Sequence, residues 1–233
     1  ADGKTDPHTK EVLRYRQALN HGFREMVARP LSTNLFIEIV RIIKEVDFGV
    51  RRVPGTALKN AQGDVIYTPP VGEAIIRDKL ANLEQFMHAD DDLDPLVKMA
   101  VMHYQFEAIH PFEDGNGRTG RILNLLYLVE RGLLDIPVLF LSRYIIANKV
   151  GYYEGLRGVT ERQEWEPWVL FMLQAVESTA QQTFDQVTRI RVLMEQVREQ
   201  VQQQAPGIYS KDLIEVIFQH PYTKIQFLVD SSI

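Results

Sequence analysis

The segment 110–121 places a titratable base and two carboxylates next to each other, and these residue types can handle phosphate. It reads His-Pro-Phe-Glu-Asp-Gly-Asn-Gly-Arg-Thr-Gly-Arg. His110 titrates near neutral pH, so it can accept a proton from a hydroxyl group. Glu113 and Asp114 follow it, and one or two carboxylates together with substrate phosphates suffice to hold Mg²⁺. The side chains alone therefore predict a phosphate-handling site that uses a metal ion.

A glycine-rich turn follows the carboxylates and leads into a helix. Gly115 and Gly117 flank Asn116, and these residue types tolerate positive φ angles. A turn of this kind at a helix start exposes backbone N–H groups that bind anions. Arg118 and Arg121 are three residues apart and share a face of the first turns, where guanidinium groups can bind phosphate oxygens in pairs. The sequence predicts an anion nest flanked by two arginines.

Two helices are expected to hold this loop between them. Residues 96–109 repeat apolar side chains at helical spacing, and the helix should end at His110 because a residue before proline is pushed out of the α region. Asp94 and Pro95 are a favoured N-cap and first helical residue for the same helix. After the loop, residues 123–129 repeat apolar side chains on one face of a second helix.

At every fixed position the loop resembles the Fic family motif, His-Pro-Phe-x-(Asp/Glu)-Gly-Asn-Gly-Arg-x-x-Arg. The resemblance implies an all-α, Fic-type helical bundle with a small β-hairpin flap, and transfer of AMP from ATP to a Ser, Thr or Tyr hydroxyl of a target protein. It implies that His110 is the general base, that Asp114 holds Mg²⁺ and that Arg121 binds the γ-phosphate. It implies that Gly115, Asn116 and Gly117 form the anion nest together with Arg118. Glu113 falls on a variable position of the motif and receives no role.

A second segment of the chain also resembles Fic proteins. Residues 148–156 contain an Asn-x-x-x-Tyr-Tyr-x-x-Leu pattern that lies beside the nucleotide in that family. The resemblance implies that Asn148 and Tyr153 contact adenosine. The flap would bind the target as an extended segment, through backbone pairing with an exposed strand.

Three alternatives remain open at this point. The same fold could transfer uridylyl, phosphate or phosphocholine, or remove AMP, although the intact Gly-Asn-Gly-Arg segment argues against phosphate transfer. The chain could instead be a non-catalytic helical interaction module with a transcriptional role. The intact His110 and Asp114 argue against that reading.

The remaining patterns predict the domain organisation. Residues 1–49 should form N-terminal helices, with Ser32 capping the second and Gly49 ending it. The core should span 50–205, with the flap at 50–72 and a turn at 60–64. Two short helices in 206–233, the second capped at Thr223, resemble the start of a winged helix, a module that Fic proteins often carry. His103 and Glu107, four residues apart, are interpreted as a hydrogen-bonded structural pair rather than as metal ligands.

Composition limits the partners. The chain has 233 residues, a net charge of −5 and no cysteine, with ordinary hydrophobic and charged fractions of 45% and 24%. These values favour a globular protein in a reducing compartment, so a cytoplasmic location is expected, and they leave nucleic-acid binding unsupported. No apolar run is long enough to span a membrane. A narrow apolar seam in 177–204 suits one partner helix or a homodimer contact.

One expected element is missing from the sequence. Fic proteins resemble one another in an inhibitory motif, Ser/Thr-x-x-x-Glu-Gly/Asn. Its glutamate pairs with the second arginine of the loop and blocks the γ-phosphate. Only 160–164 has this spacing, and Trp165 follows it, so the match fails. The expectation is that the sequence is a fragment and that the motif precedes Ala1 in a longer protein, which would leave Arg121 free for ATP in this chain.

Overall fold

The computed structural model describes residues 6–47, 49–59, 65–219 and 222–231. These residues are mostly helical, with one small hairpin, which confirms the all-α prediction. In the described part of the chain the helices are α1 (Pro7–Glu25), α2 (Thr33–Lys44), α3 (Glu73–His88), α4 (Pro95–Ile109), α5 (Asn116–Glu130), α6 (Leu141–Ala147), α7 (Lys149–Arg162), α8 (Trp165–Gln204), α9 (Lys211–Phe218) and α10 (Ile225–Asp230). A 3₁₀ turn, Pro206–Ile208, lies between α8 and α9. No helix among these residues is long and apolar enough to cross a membrane.

The chain divides into two compact units, residues 1–179 and 180–233. The division falls inside α8 and differs from the predicted boundary at 205. The sequence placed that boundary at Pro206 and Gly207, but the packed apolar side chains of α8 end earlier, near Thr179.

Helices α4 and α5, which precede and follow the loop, form the centre of the first unit. Helix α4 packs against α3 and α5, and α5 also packs against α1 and α2. Nearly every residue of α5 from Thr119 to Leu128 is buried. Gly22 permits the close approach of α1 to α5, because a Cβ at this position would lie 2.5 Å from a methyl carbon of Leu126. The loop is therefore held by two helices that are themselves fixed by the core.

The first part of α8 completes this core. Trp168 is fully buried, and its indole N–H donates to the carbonyl of Ala100 on α4 at 2.8 Å. Its ring lies parallel to the ring of His103, with centroids 6.0 Å apart. Trp168 is therefore a core residue of the first unit.

Asp94 caps α4 as predicted, accepting hydrogen bonds from the N–H groups of Leu96 and Val97. The predicted end of α2 at Gly49 is wrong. The helix ends at Lys44 because Glu45 adopts the left-handed conformation, with φ of 54°.

The C-terminal helices begin close to the predicted positions. The Ser210 hydroxyl accepts from the N–H of Leu213 and caps α9. Thr223 does not cap the last helix, because its hydroxyl donates instead to the carbonyl of Ile217. Helix α10 follows Lys224. The relation of this segment to a winged helix stays a prediction.

The predicted hairpin is present. Strands β1 (Leu58–Lys59) and β2 (Val65–Tyr67) pair in antiparallel register, with Leu58 opposite Tyr67. The predicted turn at 60–64 lies outside the described residues. Within the predicted flap segment, 50–72, we call the part from β1 through Pro70 the flap.

Candidate active site

His110 lies immediately after α4, at the start of the loop. It adopts the left-handed conformation with φ of 48° and ψ of 59°, and its N–H donates to the carbonyl of Phe106 at 3.0 Å. The helix thus ends where the following proline predicted. Burial lowers the pKa of the imidazole, the charge of Arg51 acts in the same direction, and the charge of Asp114 opposes them. Because the neutral form is favoured, His110 can accept a proton at neutral pH.

Arg51, which the sequence analysis missed, attaches the base of the flap to the end of α4. It is buried, and its Nε donates to the carbonyl of His110 at 2.7 Å. Its Nη2 donates to the carbonyls of Ile109, at 3.4 Å, and of Pro70. No spacing rule links position 51 to position 110, and the only sequence signal is an arginine within an otherwise irregular segment.

The side chain of Asn116 closes the loop by binding the backbone of Phe112. Its Oδ1 accepts from the N–H of Phe112 at 2.9 Å, and its Nδ2 donates to the carbonyl of the same residue at 2.7 Å. Gly115 has the positive φ that was predicted, 87°, but Asn116 and Gly117 already belong to α5. The amide side chain of Asn116 therefore shapes the loop, and only its backbone N–H remains for an anion at the helix start.

Asp114 is paired with cations from two directions. Its carboxylate binds Nζ of Lys44 on α2, and Nη2 of Arg118 lies 3.3 Å from Oδ1. The hydrogen bond from Lys44 is the largest cause of a lowered pKa, followed by the N–H of Gly115 and the charge of Arg118, with burial opposing. Since its side chain is still 60% exposed, Asp114 is an ionised carboxylate open to solvent at the loop.

Arg118 and Arg121 leave the first turns of α5 in different surroundings. Nη1 of Arg118 donates to Glu11 on α1 at 2.7 Å. Nε of Arg121 donates to the hydroxyl of Ser142 on α6 at 2.9 Å. The pair lies on α5 as predicted, but each arginine is held by a different neighbouring helix.

His103 and Glu107 do not form the predicted hydrogen-bonded pair. Nε2 of His103 shares a hydrogen bond with the hydroxyl of Tyr152 at 2.9 Å, and Oε1 of Glu107 is buried without a hydrogen-bond partner. The reason is that α7 supplies a closer polar partner, which periodicity along α4 does not reveal. Burial lowers the pKa of His103 to about 3 and raises the pKa of Glu107 to about 7, with the charge of Arg121 lowering both.

Glycines of α5 leave room for the Glu107 carboxylate. A Cβ at Gly120 would lie 2.7 Å from Oε1 of Glu107, and a Cβ at Gly117 would lie 3.8 Å from the same atom. The motif glycine and the glycine three residues later therefore permit close packing of α4 against α5.

In the described part of the chain, no group of three or more His, Cys, Asp or Glu side chains forms a self-sufficient metal site.

Asn148 and Tyr153, the expected adenosine contacts, lie at the junction of α6 and α7. Asn148 separates the two helices, and its side-chain amide donates to the carbonyl of Tyr144 at 2.9 Å. Tyr153 is 56% exposed and packs edge-to-face on Tyr152. Both side chains are accessible, and their role toward a nucleotide stays a prediction.

Two family models match parts of the chain. Residues 30–128 match the Fic/DOC family, and residues 193–233 match the C-terminal domain of SoFic-like protein adenylyltransferases. The first match contains the flap, α4, the loop and most of α5. The second covers the end of α8 and the C-terminal helices.

Curated relatives share moderate identity with this chain. A probable protein adenylyltransferase of Aquifex aeolicus is 36% identical over 81 residues, which are 35% of this chain and 25% of that protein. The protein adenylyltransferase Fic of Nematostella vectensis is 26% identical over 76% of this chain and 40% of its own length. The chain therefore spans well under half the length of either relative.

Solved structures share the fold. A Fic family protein from Desulfovibrio desulfuricans G20 superposes with a TM-score of 0.63 at 20% identity, covering 96% of this chain and 64% of that one. Fic-1 of Caenorhabditis elegans, residues 134–508 with an E274G substitution, gives a TM-score of 0.59 at 22% identity, with 79% and 53% coverage.

Proposed function

We propose that this chain, whose residues 30–128 match the Fic/DOC family, is a protein adenylyltransferase that moves AMP from ATP to a Ser, Thr or Tyr hydroxyl of a target protein. The observation that carries the proposal is the neutral, partly buried His110 beside an ionised Asp114 and the first turn of α5. A proton acceptor, a carboxylate and an anion-binding helix start are the groups that nucleotidyl transfer needs.

In the proposed reaction the acceptor oxygen attacks the α-phosphorus of ATP. The bond from that phosphorus to the bridging oxygen of the β-phosphate breaks, and pyrophosphate leaves. The hydroxyl proton passes to the imidazole of His110. Since burial keeps this ring neutral, it can accept the proton without first losing one.

The first turn of α5 would bind the phosphates. The N–H groups of Gly115, Asn116 and Gly117 lie at the N-terminal end of α5, where the helix dipole favours negative charge. The N–H of Gly115 donates to Oδ1 of Asp114, so it must exchange that carboxylate for a phosphate oxygen. Arg118 would neutralise charge on the phosphates, and Arg121 would bind the γ-phosphate. Arg118 must exchange Glu11 for phosphate oxygens, because its Nη1 is otherwise occupied.

Asp114 is the residue that would hold Mg²⁺. It fits this role because it is ionised, exposed and next to the expected phosphate position. As a single carboxylate it depends on nucleotide phosphates and water for the other ligands, which is the usual arrangement for Mg²⁺. The metal would supply charge neutralisation on the phosphates. Binding would require Lys44 to release the carboxylate.

Different segments of the chain would bind the adenosine and the target. Asn148 and Tyr153 are accessible for contacts with adenosine. The hairpin strands at Leu58–Lys59 and Val65–Tyr67 would pair with an extended target segment through backbone hydrogen bonds.

The test is incubation of the purified chain with a lysate and ATP labelled at the α-phosphate, in parallel with UTP and CDP-choline. Transfer of an adenylyl group that depends on His110 supports the proposal, with mass spectrometry used to identify the modified residue. Transfer of another group would support a different Fic-type reaction. Failure to bind ATP with Mg²⁺ in calorimetry would contradict the enzymatic proposal.

A further inference from the structure

Arg51 is a buried cation whose described polar contacts are main-chain carbonyls. It is 2% exposed, and no carboxylate lies within ion-pair distance in the described part of the chain. Burying a guanidinium without a carboxylate is costly unless its N–H groups are satisfied. Burial lowers the pKa of Arg51. The negative end of the α4 dipole, where the carbonyls of Ile109 and His110 lie, offsets part of this cost.

The contacts of Arg51 connect three parts of the site. Its side chain donates to the carbonyls of Ile109 and His110 at the end of α4 and to Pro70 at the exit of the flap. Its own N–H donates to the carbonyl of Pro111 at 2.9 Å. One residue therefore holds the end of α4, the start of the loop and the base of the flap together.

Tyr67 makes a second connection of the same kind. Its hydroxyl, at the end of β2, donates to the carbonyl of Ala108 at 2.8 Å. The carbonyls of three consecutive residues, Ala108, Ile109 and His110, thus accept hydrogen bonds from Tyr67 or Arg51. These carbonyls have no partner within the helix, because they belong to its last turn.

The conformation of His110 makes this connection relevant to its chemistry. The left-handed region is unfavourable for a non-glycine residue, and such a conformation persists only where the surroundings hold it. The bond from Nε of Arg51 to the His110 carbonyl fixes the peptide that follows the base. The imidazole extends from the Cα of the same residue, so a shift of this peptide would displace the ring.

We propose that Arg51 is a positioning residue that holds the backbone of His110 and the base of the flap in one fixed arrangement. An acceptor segment bound along the flap would then present its hydroxyl to the imidazole, because the flap and the His110 backbone keep a fixed position relative to each other. The inference rests on the proposed function, because it assigns the flap to the acceptor and His110 to its proton. Arg51 itself does not contact substrate in this account.

Two substitutions separate the geometry of Arg51 from its charge. Arg51→Lys keeps the charge, but a single ammonium group on a flexible stem does not reproduce a planar fork that reaches three carbonyls. Arg51→Met removes both the charge and the side-chain hydrogen bonds. Tyr67→Phe removes only the hydrogen bond from the Tyr67 hydroxyl to the carbonyl of Ala108. Arg131→Lys is the matched control. Arg131 also donates to a main-chain carbonyl, that of Met87, at 2.8 Å, but it lies at the end of α5 that is remote from the loop.

The first measurement is steady-state transfer to the target, with ATP affinity measured by calorimetry. We expect Arg51→Lys to lower kcat by about 10- to 100-fold, because a displacement near 1 Å can cost ~10² in rate, while ATP affinity changes by less than about twofold. Arg131→Lys should leave kcat unchanged. A folded Arg51→Lys chain with the original kcat would overturn the proposal, as would an equal loss of ATP affinity and kcat.

The second measurement does not depend on activity. NMR titration of the His110 imidazole should give a higher pKa in Arg51→Met than in the unmodified chain, because a cation that lowers it has been removed. Arg51→Lys should shift it less, and Arg131→Lys should not shift it. An unchanged His110 titration in a folded Arg51→Met chain would overturn the proposal. If the unmodified chain transfers no nucleotide while these titrations shift as expected, the proposed function fails and the placement of the Arg51 guanidinium beside the His110 imidazole stands.

Discussion

Nη1 of Arg118 donates to Oε1 of Glu11 at 2.7 Å, so the first arginine of the loop is paired with a carboxylate of α1. Its other terminal nitrogen, Nη2, lies 3.3 Å from Asp114. Both contacts use donors that phosphate oxygens would need. A nucleotide must therefore compete with a carboxylate supplied by the protein itself.

Glu11→Gln should tighten ATP binding. The change removes one negative charge that competes for Arg118, and partly exposed ion pairs are worth about 0.2–1 kcal/mol. We expect the Kd for ATP, measured by calorimetry, to fall by up to about fivefold. Glu161→Gln, in an exposed pair with Arg157 on α7, is the control. Unchanged or weaker binding in Glu11→Gln would show that this contact does not compete with the nucleotide.

His110→Ala should abolish transfer while ATP binding and the fold persist. A positioned general base contributes about 10²–10⁴-fold, so the rate loss should be at least 100-fold. His8→Ala, at an exposed position in α1, is the control. A variant that lacks His110 and still transfers AMP at near the original rate would exclude it as the base.

The pH dependence of the same reaction follows from the pKa of His110, which burial lowers below 6.5. The neutral ring is the active form, so kcat/KM should be constant near neutrality and fall only as pH drops through a value below 6.5. Initial rates with saturating Mg²⁺ at each pH give kcat/KM as a function of pH. A midpoint above 6.5 would contradict the assignment of the base or of its environment.

Asp114→Ala should remove Mg²⁺-dependent transfer, whereas Glu113→Ala should have little effect. Both carboxylates are exposed and adjacent, so their surface environment does not distinguish them. Only Asp114 has a carboxylate that contacts Lys44, the N–H of Gly115 and Arg118 in the described part of the chain. Rates measured across a Mg²⁺ titration give the comparison, and Asp114→Asn repeats it with the shape preserved. The opposite ranking would assign the metal to Glu113.

Glu107→Gln should change stability in a pH-dependent way. The folded protein holds the proton of Glu107 up to about pH 7, whereas the unfolded chain releases it near 4.5. Between these values the folded state binds more protons, so the contribution of Glu107 to the free energy of unfolding falls as pH rises. The variant should become more stable relative to the unmodified chain over this interval, by on the order of 2–3 kcal/mol at pH 8.

Denaturant unfolding at pH 5 and pH 8 measures the Glu107 effect as a difference between the two proteins. This difference isolates Glu107 from His103, whose lowered pKa removes stability as pH falls below 6.5. Glu113→Gln is the exposed control. An equal difference at both pH values would mean that Glu107 is not protonated in the folded protein at neutral pH.

Local rules predicted the elements around the loop. The proline after His110 ended α4, Asp94 and Pro95 began it, and the apolar repeats placed α4 and α5 on either side of the motif. The hairpin followed from a short β-rich run beside turn residues. These features depend on a few neighbouring residues, so one sequence is enough to predict them.

The partners of the charged residues could not be predicted in the same way. Arg51 binds the carbonyl of a residue 59 positions away, and Lys44 binds Asp114 across 70 positions. His103 was expected to bond within α4 and instead bonds with Tyr152 of α7.

The sequence by itself determined the helical fold and the position of the loop between two helices, and it predicted a base, a carboxylate and two arginines for the site. Only the tertiary structure decided that Arg51 attaches the flap to His110, that Glu11 occupies Arg118, and that Glu107 lies buried beneath the glycines of α5. The physical reason is that helix periodicity and capping act over a few residues. Ion pairs and buried polar contacts instead depend on which helices pack together, and packing joins positions with no regular spacing.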